Sequence, residues 1–200
     1  IAVRVDNSLQ PNSRWYSGSG IYRHVWLTTT SPIHISPWGT YVTTPRVLAK
    51  EASVRVETDI TNAGQATANI KLVSTILDHH GKKVGGRTEN GRLVAGVQTK
   101  VVSQLKIPSP KLWSIEQPVL YKLVSEVYHD DKLQDTYYTD FGIRTIAFRS
   151  DSGFYLNGKH VKILGVCQHH DLGPLGAAVN TRAMERQLEI MRDMGCNALR

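Results

Sequence analysis

Residues 46–147 consist of short segments in which apolar and polar side chains alternate, and turn-forming residues separate these segments. In Ser53–Asn62, valine, threonine and isoleucine alternate with charged side chains, and Ala68–Asp78 leads into a turn rich in histidine and glycine. A period of two is typical of strands that bury one face. Short strands about ten residues apart, over about one hundred residues, predict an immunoglobulin-like β-sandwich. Further segments with this pattern are Thr99–Ile107, Leu120–His129 and Gln134–Ile146.

The periodicity changes after residue 147. Apolar residues three and four positions apart predict an amphipathic helix, and a short strand is predicted on each side of it. The predicted elements are a hairpin turn at Asn157-Gly158, strand Lys159–Val166, a helix that Asn180 or Thr181 caps and that runs through Met194, and strand Cys196–Leu199. Strand, loop, helix and strand form a βαβ unit, so we expect residues 148–200 to open a (β/α)8 barrel, truncated here, of about 250 residues.

Residues 1–45 carry a weaker strand signal. Alternation in Ile1–Val5 and the apolar run Ile21–Leu27 predict two or three strands with glycine-rich sequence between them. So few strands cannot bury a two-sided core alone. We therefore expect the last strands of another β domain here. The predicted fold class is mainly β, with domains at residues 1–45, 46–147 and 148–200.

The composition argues against two classes of function. The net charge is +7, but basic and acidic residues are interleaved along the chain, whereas nucleic-acid-binding proteins usually concentrate basic charge on one face or in one run. No apolar run approaches the ~18 residues of a membrane span. Cys167 and Cys196 are too few for a zinc site or a disulfide framework, so we expect two buried, reduced cysteines, and no compartment is specified.

The loop after the predicted strand Lys159–Val166 carries the best candidates for chemistry. His169, His170 and Asp171 follow each other in that loop, and in a parallel barrel such loops lie at the carboxyl ends of strands, where active sites are built. Neutral histidines there can hydrogen-bond the hydroxyls of a substrate such as a sugar. Arg200 ends the next strand and can hold a carboxylate ionised. A solvated loop and a surface ion pair are the alternatives, and consecutive side chains do not favour a metal site.

Two other pairs of side chains have simpler interpretations. His79 and His80 lie in a predicted turn of the sandwich, where solvated side chains are expected. Trp38 and Trp113 are each preceded or followed by proline or serine, and we expect them to be packing anchors between domains.

Five stretches of the chain, in order, resemble glycoside hydrolase family 2. Ser13–Leu27 is similar to the end of the family's jelly-roll sugar-binding domain, and Leu112–Tyr121 is similar to a sequence motif near the end of its sandwich domain. Phe141–Thr145 resembles the link into the barrel, and Leu156–Lys159 and Leu164–Asp171 resemble the barrel's opening. The resemblance covers nearly the whole chain.

This resemblance implies a retaining β-galactosidase that acts on terminal non-reducing β-D-galactosides. The stretch His169–Gly176 is most similar to the galactosidases, although Cys167-Gln168 stands where many members have Asn followed by Arg or another residue. The resemblance implies that His169 contacts the sugar and that Arg200 neighbours the nucleophile. His170 and Asp171 are expected to bind substrate as well.

The family's acid/base and nucleophile are glutamates on later barrel strands, and the acid/base follows an asparagine. This sequence contains no Asn-Glu pair, so the catalytic residues are expected beyond residue 200 and this chain alone is expected to be inactive. The resemblance implies no cofactor for this segment and leaves a divalent or monovalent cation to the full-length enzyme, which is expected to be a homo-oligomer. Alternatives are a β-glucuronidase, a β-mannosidase, or a non-catalytic sandwich module that binds carbohydrate or protein.

Overall fold

The computed structural model describes residues 2–6, 8, 20–169 and 172–200, which divide into two compact units. One unit spans Thr29–Val161 and is a β-sandwich followed by a small hairpin sheet. The other combines Ile1–Thr28 with Lys162–Arg200 and is built around a βαβ element. We call them the sandwich unit and the βαβ unit.

Seven antiparallel strands form the two layers of the sandwich. They are β1 Ile33–Val47, β2 Glu51–Asn62, β3 Ala68–Leu77, β4 Lys83–Leu93, β5 Gln98–Pro108, β6 Tyr121–His129 and β7 Lys132–Phe141. One sheet has the order β1-β2-β5 and the other has the order β4-β3-β6-β7. The predicted mainly β fold with an immunoglobulin-like sandwich is confirmed.

Side chains alternate between the two faces of a strand, so every second residue of β2 and β3 is buried between the sheets. The buried apolar residues form two clusters, and removal of their surface from water, at about 25 cal/mol per Å², stabilises the two layers. The first cluster contains Ala52, Val54, Val56, Ile76, Leu105, Ile107, Tyr121, Leu123, Phe141 and Ile143. The second contains Ile33, Ile35, Ile60, Ala68, Ile70, Leu72, Leu93 and Val127.

A layer of hydroxyl groups separates these two clusters. Its members, Thr58, Ser74, Ser103 and Ser125, are fully buried on β2, β3, β5 and β6. On each strand, the residues two positions before and after the hydroxyl pack with opposite clusters. Ser74 stands directly opposite Ser125 across the β3–β6 pair. None of the four hydroxyls has a hydrogen-bond partner among the described residues, and buried hydroxyls without partners reduce stability.

The predicted boundary at residue 45 falls inside β1. This strand pairs with β2 from Ile33 opposite Asn62 to Val47 opposite Ala52, so the sandwich begins well before residue 46. The described residues 2–6 and 20–28 contain no strand, which corrects the strand predicted over Ile21–Leu27. That residues 1–45 include the end of a jelly-roll domain stays a prediction.

A bulge interrupts the pairing of β1 between Ile35 and Thr40. It needs Gly39, because a Cβ atom at that position would lie 2.6 Å from the backbone oxygen of Ser36. Trp38, within the bulge, has a φ of +58° and is 93% exposed. A positive φ is unusual for a bulky residue. The described residues do not cover the indole, and the role of Trp38 as a packing anchor between domains stays a prediction.

Trp113, by contrast, is held firmly within the sandwich unit. Its backbone N–H donates to Ile143 O at 2.8 Å, and its carbonyl accepts from Asn157 Nδ2 at 2.9 Å. The Arg144 guanidinium carbon lies 5.2 Å from the centre of its ring. These contacts connect the loop before β6 with the segment that follows β7.

The hairpin sheet follows the sandwich, with the order β10-β9-β8. Its strands are β8 Ile146–Arg149, β9 Gly153–Leu156 and β10 Lys159–His160. Asn157 and Gly158 both have positive φ values, as the favoured two-residue hairpin turn requires. The predicted hairpin turn is confirmed, but the predicted strand Lys159–Val166 is not continuous, because residues 161–164 lie outside any strand.

The βαβ unit contains β11 Gly165–Val166, helix α1 Thr181–Asp193 and β12 Ala198–Leu199. The two strands pair in parallel. The Asn180 side chain caps α1 by accepting from the backbone N–H of Ala183 at 3.1 Å, so the predicted βαβ order and helix cap are confirmed. None of the described residues forms a helix of the length and apolarity that a membrane crossing needs.

Candidate functional site

The carboxyl ends of β11 and β12 lie side by side, and the candidate site begins there. Val166 pairs with Leu199 at the end of the parallel ladder. Beyond it, the Arg200 N–H donates to Val166 O at 3.0 Å, and the Gln168 N–H donates to Arg200 O at 2.9 Å. The loop after β11 and Arg200 therefore share one edge of the strand pair, as the sequence predicts for a parallel arrangement.

Asn197 fixes the register of these very short strands. Its Oδ1 accepts from the backbone N–H of Leu164 at 2.8 Å, and its Nδ2 donates to Lys162 O at 2.9 Å. Gly165 permits the close approach of β12, because a Cβ atom there would lie 3.0 Å from Ala198 O. Two residues of ladder alone would leave the position of Arg200 poorly defined, and the Asn197 amide supplies the missing hydrogen bonds.

The side chain of Arg200 turns back to the first residue of the loop. Its Nη1 donates to Cys167 Sγ at 2.9 Å. Cys167 is exposed and Cys196 is half-buried, so the prediction of two buried cysteines is wrong for Cys167. Both cysteines are free, as predicted. Cys167 was expected to be an inert apolar residue, and the contact with Arg200 gives it a polar role.

Gln168 joins the loop to α1 through its side-chain Nε2, which donates to Gln187 Oε1. Its Oε1 is buried and has no hydrogen-bond partner among the described residues. His169, the next residue, is exposed. Of the four predicted substrate-binding residues, His169 and Arg200 follow neighbouring strand ends, while His170 and Asp171 lie outside the described residues.

Residues 20–28 contribute neighbours that the sequence analysis did not identify. Val179, just before α1, donates its N–H to Tyr22 O at 2.9 Å. His24 Nε2 lies 3.3 Å from Thr181 Oγ1, and the rings of His24 and Trp26 are 5.8 Å apart. The imidazole of His24 therefore lies beside the first residue of α1, with the Trp26 indole next to it. No local sequence signal links Tyr22 with Val179, because the contact spans more than 150 positions.

The carboxylates of α1 are engaged in ion pairs on the helix surface. Arg182 binds Glu189 through two nitrogens, at 2.8 and 3.1 Å, and lies 3.4 Å from Glu185. The hydrogen bond from Arg182 lowers the pKa of Glu189. Among the described residues, no three His, Cys, Asp or Glu side chains are grouped closely enough to hold a metal ion.

The sandwich unit also has a groove of about 710 Å³ with several basic residues in its lining, Arg46, Arg55, Arg87 and Lys106. Three of them form ion pairs, Arg55 with Glu57, Arg87 with Glu89 and Lys106 with Glu51. The charge of the groove is therefore largely compensated, and it is a weaker candidate than the edge of β11 and β12.

The histidine pair of the sandwich is a solvated turn, as predicted. Asp78 Oδ1 accepts from the backbone N–H groups of Lys82 and His80 at 3.0 and 2.9 Å, and these hydrogen bonds lower the pKa of Asp78. His79 and His80 are both exposed beside it. The turn stabilises itself locally, so it requires no ligand.

Two family descriptions match the chain. Glycosyl hydrolases family 2 matches residues 33–144, and the TIM barrel domain of the same family matches residues 147–200. The first match begins with β1, in agreement with the sandwich boundary in the structure. The second covers the hairpin sheet, β11, α1 and β12.

Curated relatives match along the whole chain. A β-galactosidase of Bacteroides ovatus, BoGH2A, is 49% identical over 200 residues, which cover 100% of this chain and 24% of that protein. A β-glucuronidase of Formosa agariphila is 33% identical over 222 residues, covering 100% of this chain and 23% of that protein. The chain thus spans about a quarter of the length of these relatives.

A solved structure supports the same fold. The crystal structure of a glycosyl hydrolase family 2 member from Bacteroides cellulosilyticus matches with a TM-score of 0.92 and 42% sequence identity. The match covers 98% of this chain and 27% of that chain. The similarity therefore includes both the sandwich and the residues around β11 and β12.

Proposed function

Because the chain belongs to glycosyl hydrolases family 2, we propose that the protein that contains it hydrolyses terminal non-reducing β-D-galactosides. The observation that carries this proposal is the 49% identity to the Bacteroides ovatus β-galactosidase over all 200 residues. That similarity includes the loop after β11 and Arg200, the part of the chain nearest to the proposed chemistry.

The proposed reaction is a double displacement that retains the configuration of the anomeric carbon. One carboxyl group protonates the leaving oxygen, and a second, ~5–5.5 Å away, attacks the anomeric carbon to form a glycosyl-enzyme that water then hydrolyses. We assign both groups to glutamates on barrel strands outside these 200 residues. In the βαβ unit, Glu185 and Glu189 are instead bound by one arginine, Arg182.

Within this scheme, His169, His170, Asp171 and Arg200 bind the substrate. His169 is exposed at the carboxyl end of a strand, where an imidazole can hydrogen-bond a sugar hydroxyl. A guanidinium at Arg200 lowers the pKa of a neighbouring carboxylate and so keeps a nucleophile ionised. The roles of His170 and Asp171 rest on the resemblance of the loop alone.

The substrate proposal is tested with the complete protein and two chromogenic substrates, a β-galactoside and a β-glucuronide. We expect a higher kcat/KM for the galactoside, with the β-anomer as the first product detected by NMR. Preference for the glucuronide, or an α-anomer as the first product, would contradict the proposal. The 200-residue chain alone should hydrolyse neither substrate, and turnover by it would place the carboxyl groups within these residues.

The role of His169 is tested by His169→Ala in the complete protein. Loss of a donor that stabilises charge in the transition state is expected to lower kcat/KM by about 10²–10³. His79→Ala is the matched control, because His79 is an equally exposed histidine that lies in a turn of the sandwich unit. Equal activity of the two variants would exclude His169 from the site.

A β-glucuronidase is the second candidate, favoured by the 33% identity to the Formosa agariphila enzyme. A glucuronide carries a carboxylate at C6, which cationic side chains recognise through charge-assisted hydrogen bonds. Both candidates would share the same mechanism and the same role for Arg200, so the configuration of the product does not separate them. The comparison of the two chromogenic substrates does.

A further inference from the structure

We infer that Cys167 is a positioning residue for Arg200, whose guanidinium its sulfur holds at the carboxyl end of β12. The inference deepens the proposed function and rests on it in one respect, namely that Arg200 acts on a catalytic carboxylate. The link between Cys167 and Arg200 itself stands on geometry in the βαβ unit.

Arg200 is held at both its backbone and its side chain by three consecutive residues, the last residue of β11 and the first two of the loop that follows it. Its N–H donates to Val166 O at 3.0 Å, its carbonyl accepts from Gln168 N at 2.9 Å, and its Nη1 donates to Cys167 Sγ at 2.9 Å. An exposed arginine side chain loses much rotational freedom when it is ordered. The sulfur offsets part of this loss by selecting one orientation of the guanidinium.

No carboxylate among the described residues of the βαβ unit binds this guanidinium. Among the described residues, the ion pairs of α1 join Glu185 and Glu189 to Arg182 and join Asp193 to Arg192, and none involves Arg200. A guanidinium has five N–H donors, and one of them is directed at the sulfur. The other titratable side chain described close by in the loop is His169, two residues after Cys167.

A thiol is suited to this task because it is a neutral acceptor. A carboxylate at position 167 would also orient the guanidinium, but it would compensate the positive charge that lowers the pKa of a catalytic carboxylate. The sulfur directs the guanidinium and leaves its charge available. The adjacent Gln168 binds Gln187 of α1, so the backbone that carries Cys167 is itself tied to the helix.

The test compares three variants of the complete protein. Cys167→Val removes the acceptor, Cys167→Ser keeps a neutral acceptor, and Cys167→Asp keeps an acceptor but cancels charge. We expect kcat/KM to fall roughly ten- to hundredfold for Cys167→Val, the range for loss of a hydrogen bond to a charged group. Cys167→Ser should recover most of the activity, and Cys196→Val is the control for loss of the other free cysteine.

The pH profile separates positioning from a merely structural role. If Arg200 is displaced or compensated, the pKa of the nucleophile rises, so the acidic limb of kcat/KM moves to higher pH in Cys167→Val and further in Cys167→Asp. It should stay in place in Cys167→Ser. An acidic limb that stays unchanged in all three variants would overturn the inference, because partial misfolding lowers the amount of active enzyme without moving the profile.

A second measurement is independent of glycosidase activity. The rate of alkylation of Cys167 by iodoacetamide is followed by mass spectrometry in the complete protein and in Arg200→Gln, with Cys196 as the internal reference. The guanidinium that contacts the sulfur at 2.9 Å covers one side of it, so Arg200→Gln should speed the modification of Cys167 several-fold and leave Cys196 unchanged. An equal or slower rate at Cys167 would overturn the link. Loss of the proposed function, in contrast, would appear as a complete protein that hydrolyses neither chromogenic substrate.

Discussion

The sandwich unit and the βαβ unit contribute in opposite ways to the protein. The sandwich unit buries two apolar clusters between its sheets. In the βαβ unit, none of the described residues is buried, and Leu188 on α1 and Met194 just after it are 48% and 71% exposed. The candidate site lies on the second unit. The difference indicates that the sandwich unit stabilises itself, whereas the unit that carries the chemistry depends on packing that these residues do not provide for each other.

The largest expected contrast is between two leucines, one in each unit. Leu123 is fully buried in β6, so Leu123→Ala should lower the free energy of unfolding of the sandwich by about 2–5 kcal/mol through lost burial and a cavity. Leu188→Ala removes a half-exposed side chain and should lower the free energy of unfolding by less than about 1 kcal/mol. Urea denaturation followed by circular dichroism measures both effects.

Hydrogen exchange tests the same contrast without substitutions. Amides of β2 and β6 should exchange only on global unfolding of the sandwich, whereas amides of α1 should exchange through local opening. Equal costs for the two leucine variants, or equal protection of β6 and α1, would show that the βαβ unit is as well packed as the sandwich and would remove the distinction.

Two asparagines provide a smaller, matched contrast. Asn62 is buried and its amide binds Ala66 O, Leu93 O and the N–H of Gly64. Because buried backbone groups would lose their partners, Asn62→Ala should cost about 2–3 kcal/mol. The Asn197 amide makes two hydrogen bonds to backbone groups, at a partly exposed site.

Asn197→Ala should lower the free energy of local opening of β11 by about 0.5–1.5 kcal/mol. The loss should appear as faster hydrogen exchange of the β11 amides and not as a shift of the unfolding transition of the sandwich. A shift of the sandwich transition by Asn197→Ala would contradict the independence of the two units.

Sequence patterns predicted the elements whose local signals agree with their final positions. The alternation in Ser53–Asn62 corresponds to β2, and the cap at Asn180 and the turn at Asn157-Gly158 lie where propensity places them. β4 was not predicted, because its glycines and charged residues, at the edge of the sheet, do not show the alternation of apolar and polar side chains. The start of β1 is hidden because Pro37 and Gly39 are turn-forming residues that here form a bulge.

The candidate site could be located in part. Parallel strands place residues that follow them at one edge, so the nearness of Arg200 to the loop after β11 followed from topology. The hydrogen bond of its side chain to Cys167 could not be predicted in this way, because the rotamers of exposed arginines have no sequence signal. The strand predicted over Lys159–Val166 failed in residues 161–164, where Asn197 replaces ladder hydrogen bonds by a side-chain bridge to Lys162 and Leu164.

Strain at the edge of the sandwich gives an expected gain in stability. Trp38→Asn should raise the free energy of unfolding by about 0.5–1 kcal/mol, because asparagine tolerates positive φ and the almost fully exposed indole contributes little burial. Tyr41→Asn is the control, since Tyr41 is also exposed in β1 but has no positive φ. A loss of stability in Trp38→Asn as large as in Tyr41→Asn would show that the bulge is relaxed.

The smallest effect concerns the pH dependence of the two units. Hydrogen bonds from Lys100 and Arg55 lower the pKa of Glu57 in the sandwich, and one from Arg182 lowers the pKa of Glu189 in α1. A carboxylate whose folded pKa is lowered contributes stability above its unfolded pKa, about 4.3, and loses that contribution as the pH falls through the folded value. Glu57→Gln should therefore flatten the acid dependence of the sandwich transition below about pH 4.3. Glu189→Gln should leave that dependence unchanged, because it removes the same kind of ion pair from the other unit. If both variants flatten the dependence equally in urea denaturation at a series of pH values, the two units unfold together, and the sandwich does not stabilise itself independently.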